Sequence, residues 1–336
     1  MKSHALPILQ RKNRRRRLFA AAIFSTLAAG CGDVGGGLPG ATGPGAATTL
    51  SGWRVDPQGD LNAFFDCLDD NGAALVSAHR GGPYPGFPEN ALETIAEILK
   101  QAPALIEIDV ATSSDGVLFL MHDDTLERTT TGSGEARAMT WAEISKLRLK
   151  DNDGARTAFH PPAFADVLAF SKDRTILQID FKRSTRFEDV VNEVKRQGAG
   201  DRVIYIAYGF AAARKLHRLH PEAMISLSLD AGSELNRAVA AGIPADRLIG
   251  FTGTADVRPR LFSILSDRDV EVIFGTLGGS RSIDREIART GDNARYATIA
   301  GQGVDIIATD RPAAAHKALA RAGRAPAAGQ CGIDGA

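Results

Sequence analysis

The chain has 336 residues, more than one average domain but the right length for a single large barrel behind a processed leader. Its 44% hydrophobic residues can bury a sizeable core. Forty basic and forty acidic residues cancel, which gives no general case for nucleic-acid binding.

Arg11-Lys12 and Arg14–Arg17 form a basic region, and an apolar run from Leu18 to Ala29 follows that is too short to span a bilayer. With small residues before Cys31, this pattern predicts a bacterial export signal over residues 1–30. Leu27-Ala28-Ala29-Gly30-Cys31 resembles the lipobox of bacterial lipoproteins, with Ala28 where leucine is usual. The resemblance implies a lipidated Cys31 on an exported protein, periplasmic or held at the outer membrane. Arg16-Arg17-Leu18-Phe19 also resembles a twin-arginine signal, although any arginine-rich leader contains such a pair. Loss of residues 1–30 removes seven basic residues and no acidic ones, leaving 33 against 40, a net −7 that argues further against nucleic acid.

Gly32–Thr49 is rich in Gly, Ala, Pro and Thr without hydrophobic period and has a random-coil reach of about 25 Å, so residues 31–60 are read as a flexible tether. It suits a domain held off a membrane by lipid, or a disordered tail on a soluble periplasmic protein. The folded domain is placed at 61–336. Besides Cys31 it leaves Cys67 and Cys331 near the domain's two ends. In an oxidising compartment these either pair or stay as free thiols in frayed termini.

From Ala73 onward, strand and helix patterns alternate. Short β-branched apolar runs lie at 74–78, 104–110, 175–181, 202–208, 223–229, 247–252, 270–276 and 304–309. Helical patterns cover Asn90–Gln101, Arg186–Arg196, Gly209–Leu219, Ser233–Ala241, Pro259–Asp267, Arg281–Ala300 and Pro312–Ala322. Eight such units predict an α/β fold, a (β/α)8 TIM barrel. The second unit is irregular: about 117–162 holds an extra strand, VLFLMH, and a short helix near Trp141–Leu147, which makes it an insertion.

In such barrels chemistry gathers at the C-terminal strand ends. The first strand ends at His79-Arg80, the second in Glu107-Ile108-Asp109, the third in Asp180-Phe181-Lys182. Residues i and i+2 of a strand share a face, so Glu107 and Asp109 point together. Two carboxylates in an apolar strand repel and call for a cation, usually a hard divalent metal. Asp180 and Lys182 either join that site or simply pair with each other. His160, His217, His220 and His316 have no comparable setting and are read as structural or exposed; Gly278-Gly279 is read as a tight turn.

His79-Arg80-Gly81, Pro88-Glu89-Asn90, Glu107-Ile108-Asp109, Asp115-Gly116, His122-Asp123 and Leu126-Glu127-Arg128-Thr129-Thr130 follow in order within about fifty residues. Together they resemble the glycerophosphodiester phosphodiesterase family, over roughly 73–325 and most strongly to about Asp153. The resemblance implies metal-dependent hydrolysis of glycerophosphodiesters to glycerol 3-phosphate and an alcohol, by way of a cyclic phosphate that water opens. Glu107, Asp109 and Asp180 would hold one divalent ion, Ca²⁺ or Mg²⁺ by their all-oxygen donors. Arg80 and Lys182 would bind the phosphate, and His79 and His122 would serve as general acid and base in an unassigned order. Glu89 would support the site or cap the helix after it. Two departures stand out. Asp180 occupies a position where many members carry glutamate. Phe274-Gly275-Thr276-Leu277 replaces a frequent tryptophan-containing pattern, which puts the alcohol-binding part of the pocket in doubt. Two alternatives are a phospholipase D-type enzyme on lysolipids or sphingolipids, and a non-catalytic phosphodiester-binding lipoprotein. Headgroup preference and oligomeric state are not legible in the sequence.

Overall fold

The computed structural model describes residues 52–335. The expected export signal, Cys31 and most of the expected tether lie outside the described residues. In chain order the elements are β1 (Arg54–Val55), α1 (Leu61–Asp70), β2 (Leu75–Ala78), α2 (Leu92–Gln101), β3 (Ala104–Thr112), β4 (Leu118–Leu120), α3 (Trp141–Ile144), α4 (Phe164–Ser171), β5 (Leu177–Phe181) and α5 (Phe187–Arg196). There follow β6 (Val203–Ala207), α6 (Phe210–Leu219), β7 (Met224–Ser228), α7 (Gly232–Ala240), β8 (Leu248–Phe251), α8 (Pro259–Ser266), β9 (Glu271–Gly275), α9 (Ile283–Thr290), α10 (Ala294–Ala300), β10 (Ile306–Thr309), α11 (Pro312–Arg321) and β11 (Ile333–Asp334).

Eight parallel strands pair in the order β2, β3, β5, β6, β7, β8, β9, β10, and β10 returns to β2 to close the barrel. Each lies on one of the eight predicted apolar runs. The alternation of a strand sorts its residues. Leu75, Leu105, Ile204, Met224, Ile249, Ile273 and Ile306 point inward near the strand starts, with Ile176 just before β5, and form one cluster. Their neighbours Val76, Ile106, Ile108, Leu177, Val203 and Val272 join the outer core under the helices.

The floor of the barrel is closed by α1. Its apolar residues Leu61, Phe64, Phe65 and Leu68 recur at helical spacing and are buried against the inner cluster. Each large side chain so buried contributes roughly 1.5–3 kcal/mol. Asp60 caps the helix, its carboxylate accepting from the Asn62 amide at 3.0 Å.

The folded unit starts earlier than the expected tether end at residue 60. Val55 is buried, its amide donates to Arg174 O at 2.9 Å, and β1 pairs antiparallel with β11. An apolar side chain and pairable backbone groups draw this segment onto the floor. Cys67 of α1 and Cys331 are joined in a disulfide, which decides between the two cysteine alternatives.

Two further differences concern local structure. The predicted helix Arg281–Ala300 is two helices, because Gly291 takes φ +75° and caps α9 before α10 begins. In the insertion, β4 runs antiparallel to the far end of β3, Val110 opposite Leu120. Phe119, Met121, Leu126, Ala136 and Ile144 give the insertion its own small core.

Candidate active site

The chain leaves β2 through a short turn, His79–Gly81, in which Arg80 adopts φ +53° and Gly82, just after it, φ +76°. A Cβ on Gly82 would lie 2.8 Å from Pro312 Cγ and 2.9 Å from Ile98 Cγ1, so the turn packs too closely for any side chain there. Arg80 has no such freedom, and a non-glycine residue in this region costs about 1–2 kcal/mol. Its backbone is held by two bonds: the amide donates to Glu107 Oε2 at 2.7 Å, and the carbonyl accepts from Asn90 N at 2.8 Å.

The three carboxylates meet as the spacing implies. Asp109 and Asp180 are register partners on the neighbouring strands β3 and β5, and Glu107 stands two residues before Asp109. One oxygen from each of the three lies within 4.8 Å of the others. Lys182 Nζ bonds Asp109 Oδ1 and Asp180 Oδ2, both at 3.1 Å. The Asn90 side-chain amide donates to Asp109 Oδ2 at 2.7 Å, and its carbonyl accepts from the Asp109 amide at 3.0 Å. Asp180 Oδ1 is buried without a hydrogen-bond partner.

Burial, and then the adjacent Asp109 charge, push the Glu107 carboxyl up to about 8. Burial also raises Asp180, against the pull of Lys182. Burial works against ionised Asp109 too, but Lys182, His122 and the Asn90 amide hold it below the ordinary range. Carboxylates split in this way when like charges share one buried site.

Each histidine has its Nδ1 fixed by an aspartate. His79 Nδ1 lies 2.7 Å from Asp310 Oδ1, and His122 Nδ1 lies 2.7 Å from Asp123 Oδ1. Burial disfavours charge on His79, but the Asp310 hydrogen bond and the Glu107 charge outweigh it and raise its pKa. Asp310 is itself held: its Oδ2 accepts from the Gly278 amide at 3.1 Å, and its amide donates to Asp284 Oδ2 at 2.7 Å. Buried Asp284 also accepts from Tyr296 Oη and Thr309 Oγ1. Asp123 is kept well below the usual carboxylate range, mainly by its hydrogen bonds from Arg128.

Glu89 is 4% exposed and sits between two guanidinium groups. Arg80 Nη1 donates to both of its oxygens, at 3.1 and 3.2 Å. Arg128 grips it bidentately at 2.8 and 2.9 Å. It therefore supports the two arginines and does not cap α2, whose N-cap is Ala91. Arg80 Nε is buried 3.7 Å from Asp109 Oδ2, an ion pair that offsets part of the carboxylate charge. Beside this group opens a cleft of about 790 Å³, reached past His79, Arg80 and Asp310.

The structure thus gathers His79, Arg80, Glu89, Glu107, Asp109, Asp180 and Lys182 at the barrel mouth, with His122 carried there by the insertion. The alternative pairing of Asp180 with Lys182 holds as well, since Lys182 shares itself between two acids. His220 bonds Tyr205 Oη at 3.0 Å and His316 packs edge-on against Trp53, both structural as expected. Sequence reasoning missed Asp310, Asp123, Asn90 and the clamp made by Arg128. Asp310 follows the eighth strand directly, so the strand-end rule that found Asp180 applies to it equally. The other three stood inside quoted motifs without a role.

Residues 79–247 match the glycerophosphoryl diester phosphodiesterase family, about half of the chain. Human glycerophosphodiester phosphodiesterase 1 is 40% identical over 82 residues, 24% of each chain, so the match spans about a quarter of that relative's length. A glycerophosphodiester phosphodiesterase of Caldanaerobacter subterraneus is 28% identical over 165 residues, 47% of this chain and 68% of that one. The crystal structure of a glycerophosphoryl diester phosphodiesterase from Parabacteroides distasonis superposes with a TM-score of 0.73 at 28% identity, covering 81% of this chain and 95% of that one. The matched segment begins at the histidine of the first strand end and takes in the carboxylate trio, Lys182 and His122, and on this evidence the chain belongs to the glycerophosphoryl diester phosphodiesterase family.

Proposed function

We propose that the protein is a metal-dependent phosphodiesterase that hydrolyses glycerophosphodiesters to glycerol 3-phosphate and an alcohol. The observation that carries this reading is the carboxylate trio, within 4.8 Å and with Asp180 Oδ1 buried and unpartnered, set between two histidines of fixed tautomer. All-oxygen donors and an orphaned buried oxygen fit a hard divalent ion held by Glu107, Asp109 and Asp180. When bound, a Ca²⁺ or Mg²⁺ ion supplies positive charge to a phosphoryl oxygen and a binding point for the glycerol hydroxyl.

The chain's own residues do the rest. Arg80, which lines the cleft, offers its guanidinium charge to the phosphate, and Lys182 shares the charge that develops there. His79 and His122 each donate a proton from Nδ1 to an aspartate, so Nε2 is left to take or give a proton at the reacting oxygens. Glu89 keeps Arg80 and Arg128 in register without contributing net negative charge to the pocket. An enzyme for lysolipids or sphingolipids requires an apolar groove. The cleft beside His79 is lined mainly by polar groups and glycines, Pro83 and Ala288 excepted, which supports a small hydrophilic alcohol.

The purified protein, assayed against several glycerophosphodiesters, is expected to release glycerol 3-phosphate, to lose turnover with chelator and to regain it with Ca²⁺ or Mg²⁺. Turnover indifferent to chelator, or none with any diester and either ion, would overturn the reading. For location, we propose export with lipid on Cys31. The Cys67–Cys331 disulfide supports an oxidising compartment. Mass spectrometry of the mature protein checks this, and a first residue other than modified Cys31 would count against it.

A further inference from the structure

The cleft is larger than a phosphoryl group needs, about 790 Å³. It starts at His79 and Arg80, and none of Glu107, Asp109 and Asp180 lines it. A diester that reaches His79 and Arg80 with one alcohol over the trio therefore places its other alcohol in this cleft.

The carboxylates on the cleft wall are nearly all committed inward. Glu89 is clamped by arginines, and Asp310 holds His79 and the Gly278 amide. Asp284 is buried with Tyr296, Thr309 and the Asp310 amide. Asp151 accepts from the amides of Gly86, Asp153 and Ala155 at 2.8, 3.1 and 2.9 Å. Asp153, exposed on the insertion, is the exception.

The cations differ. Arg285 lines the cleft from the first turn of α9, and no ion pair forms on it among the described residues. Among the described residues the Arg311 guanidinium bonds only the neutral Asn293 Oδ1, at 3.3 Å. No Phe, Tyr or Trp among the described residues lines the cleft, so it lacks the cage that a quaternary ammonium favours. Phe274, in the strand end that departs from the tryptophan-containing pattern, is fully buried. Two guanidiniums without carboxylate partners, on a polar wall, offer the donor chemistry by which arginine recognises phosphate.

Resting on the hydrolytic reading above, we propose that this cleft takes the leaving alcohol, and that Arg285 and Arg311 select alcohols carrying a second phosphate. The probes are glycerophosphoglycerol, the same diester with a phosphate on the distal hydroxyl of the leaving glycerol, and glycerophosphocholine. At low salt the second phosphate is expected to raise kcat/KM about tenfold over glycerophosphoglycerol, with the gain shrinking as salt screens the exposed arginines. In Arg285→Gln/Arg311→Gln, checked for an unchanged melting temperature, the ratio is expected to fall to about one. A ratio near one in the parent protein, a ratio that survives the double substitution, or a preference for glycerophosphocholine overturns the proposal. No turnover of any probe overturns the hydrolytic reading instead. Calorimetric titration of the two glycerol diesters then still decides the cleft. A phosphate-dependent gain in affinity that the double variant lacks upholds it, and equal affinities overturn it.

Discussion

Asp310 is 231 residues from His79 in sequence, yet its carboxylate holds the imidazole Nδ1, which on the proposed mechanism leaves Nε2 for the substrate. Asp310→Asn keeps the shape and loses the charge, so kcat should fall about 10–100-fold with KM little changed. Because the aspartate raises the His79 pKa, the limb of the pH–rate profile that belongs to His79 should move to lower pH in the variant. A profile that keeps its position would make Asp310 a structural residue only. The two histidines invite a paired test. His79→Ala and His122→Ala should each lower kcat by about 10²–10⁴-fold. A nitrophenyl phosphodiester, whose leaving group needs no proton, should restore the variant that lacks the acid and leave the other impaired. Near-normal rates for both variants on natural diesters would remove the paired mechanism.

Among the elements, the turn between β2 and α2 combines two backbone demands, a left-handed Arg80 and a Gly82 pressed on Pro312 and Ile98. Gly82→Ala adds a Cβ where no space exists and at a φ that disfavours it. The substitution should cost about 1–3 kcal/mol and displace Arg80, which thermal melts and an elevated KM would register. An unaltered KM would show that the turn tolerates repacking. The site was legible where it follows strand periodicity: Glu107, Asp109 and Asp180 lie at predicted strand ends, and alternation places the first two on one face, while Asp180 joins them through the β3–β5 register. Asp310 stands at a strand end and could have been flagged by the same rule, but its pairing with His79, and that of Asp284 with Asp310, was illegible, since no spacing rule links residues that meet only when a barrel closes. The eight strands were legible because buried parallel strands are short continuous apolar runs. The helix α1 was not read, although its Leu61, Phe64, Phe65 and Leu68 have the spacing, because it precedes the first strand and falls outside the alternation. The break at Gly291 was lost inside a longer helical pattern, where one glycine is weak evidence until its φ is known.

At the scale of the molecule, the floor carries charge that the mouth does not explain. Glu271 at the start of β9 is 5% exposed, and its Oε2 lacks a partner. Burial, and then Asp305, Asp66 and Asp269, raise its pKa well above the carboxylate range. An acid with a raised folded pKa takes up a proton on folding, so its contribution to stability declines as pH rises from about 4.5 toward the folded value. Glu271→Gln should therefore melt higher than the parent at pH 8, by about 2–4 °C for each kcal/mol relieved, with the gap closing near pH 4.5. A gap independent of pH would assign the effect to packing. The disulfide bridges 264 residues, and the chain-entropy account of so large a loop gives about 5 kcal/mol. Cys67→Ser/Cys331→Ser should lower the melting temperature by about 10–20 °C while kcat/KM stays as it was, because the bond lies under the floor. A melt unmoved by the change would show that the unfolded chain is already constrained.

The pairing of β1 with β11 has a topological consequence. Residues 54 and 334 are strand neighbours, so the two ends of the described chain meet beneath the barrel, away from the mouth. The fold is in effect a ring with a seam there. A short peptide sewn across that seam, with the chain cut instead in an exposed turn such as the one around Gly242, would give a circular permutant whose barrel closes through the same eight pairings. The order in which strands emerge during synthesis would then change while the catalytic geometry did not, and the contribution of N-to-C order to folding of this barrel could be measured separately from its stability.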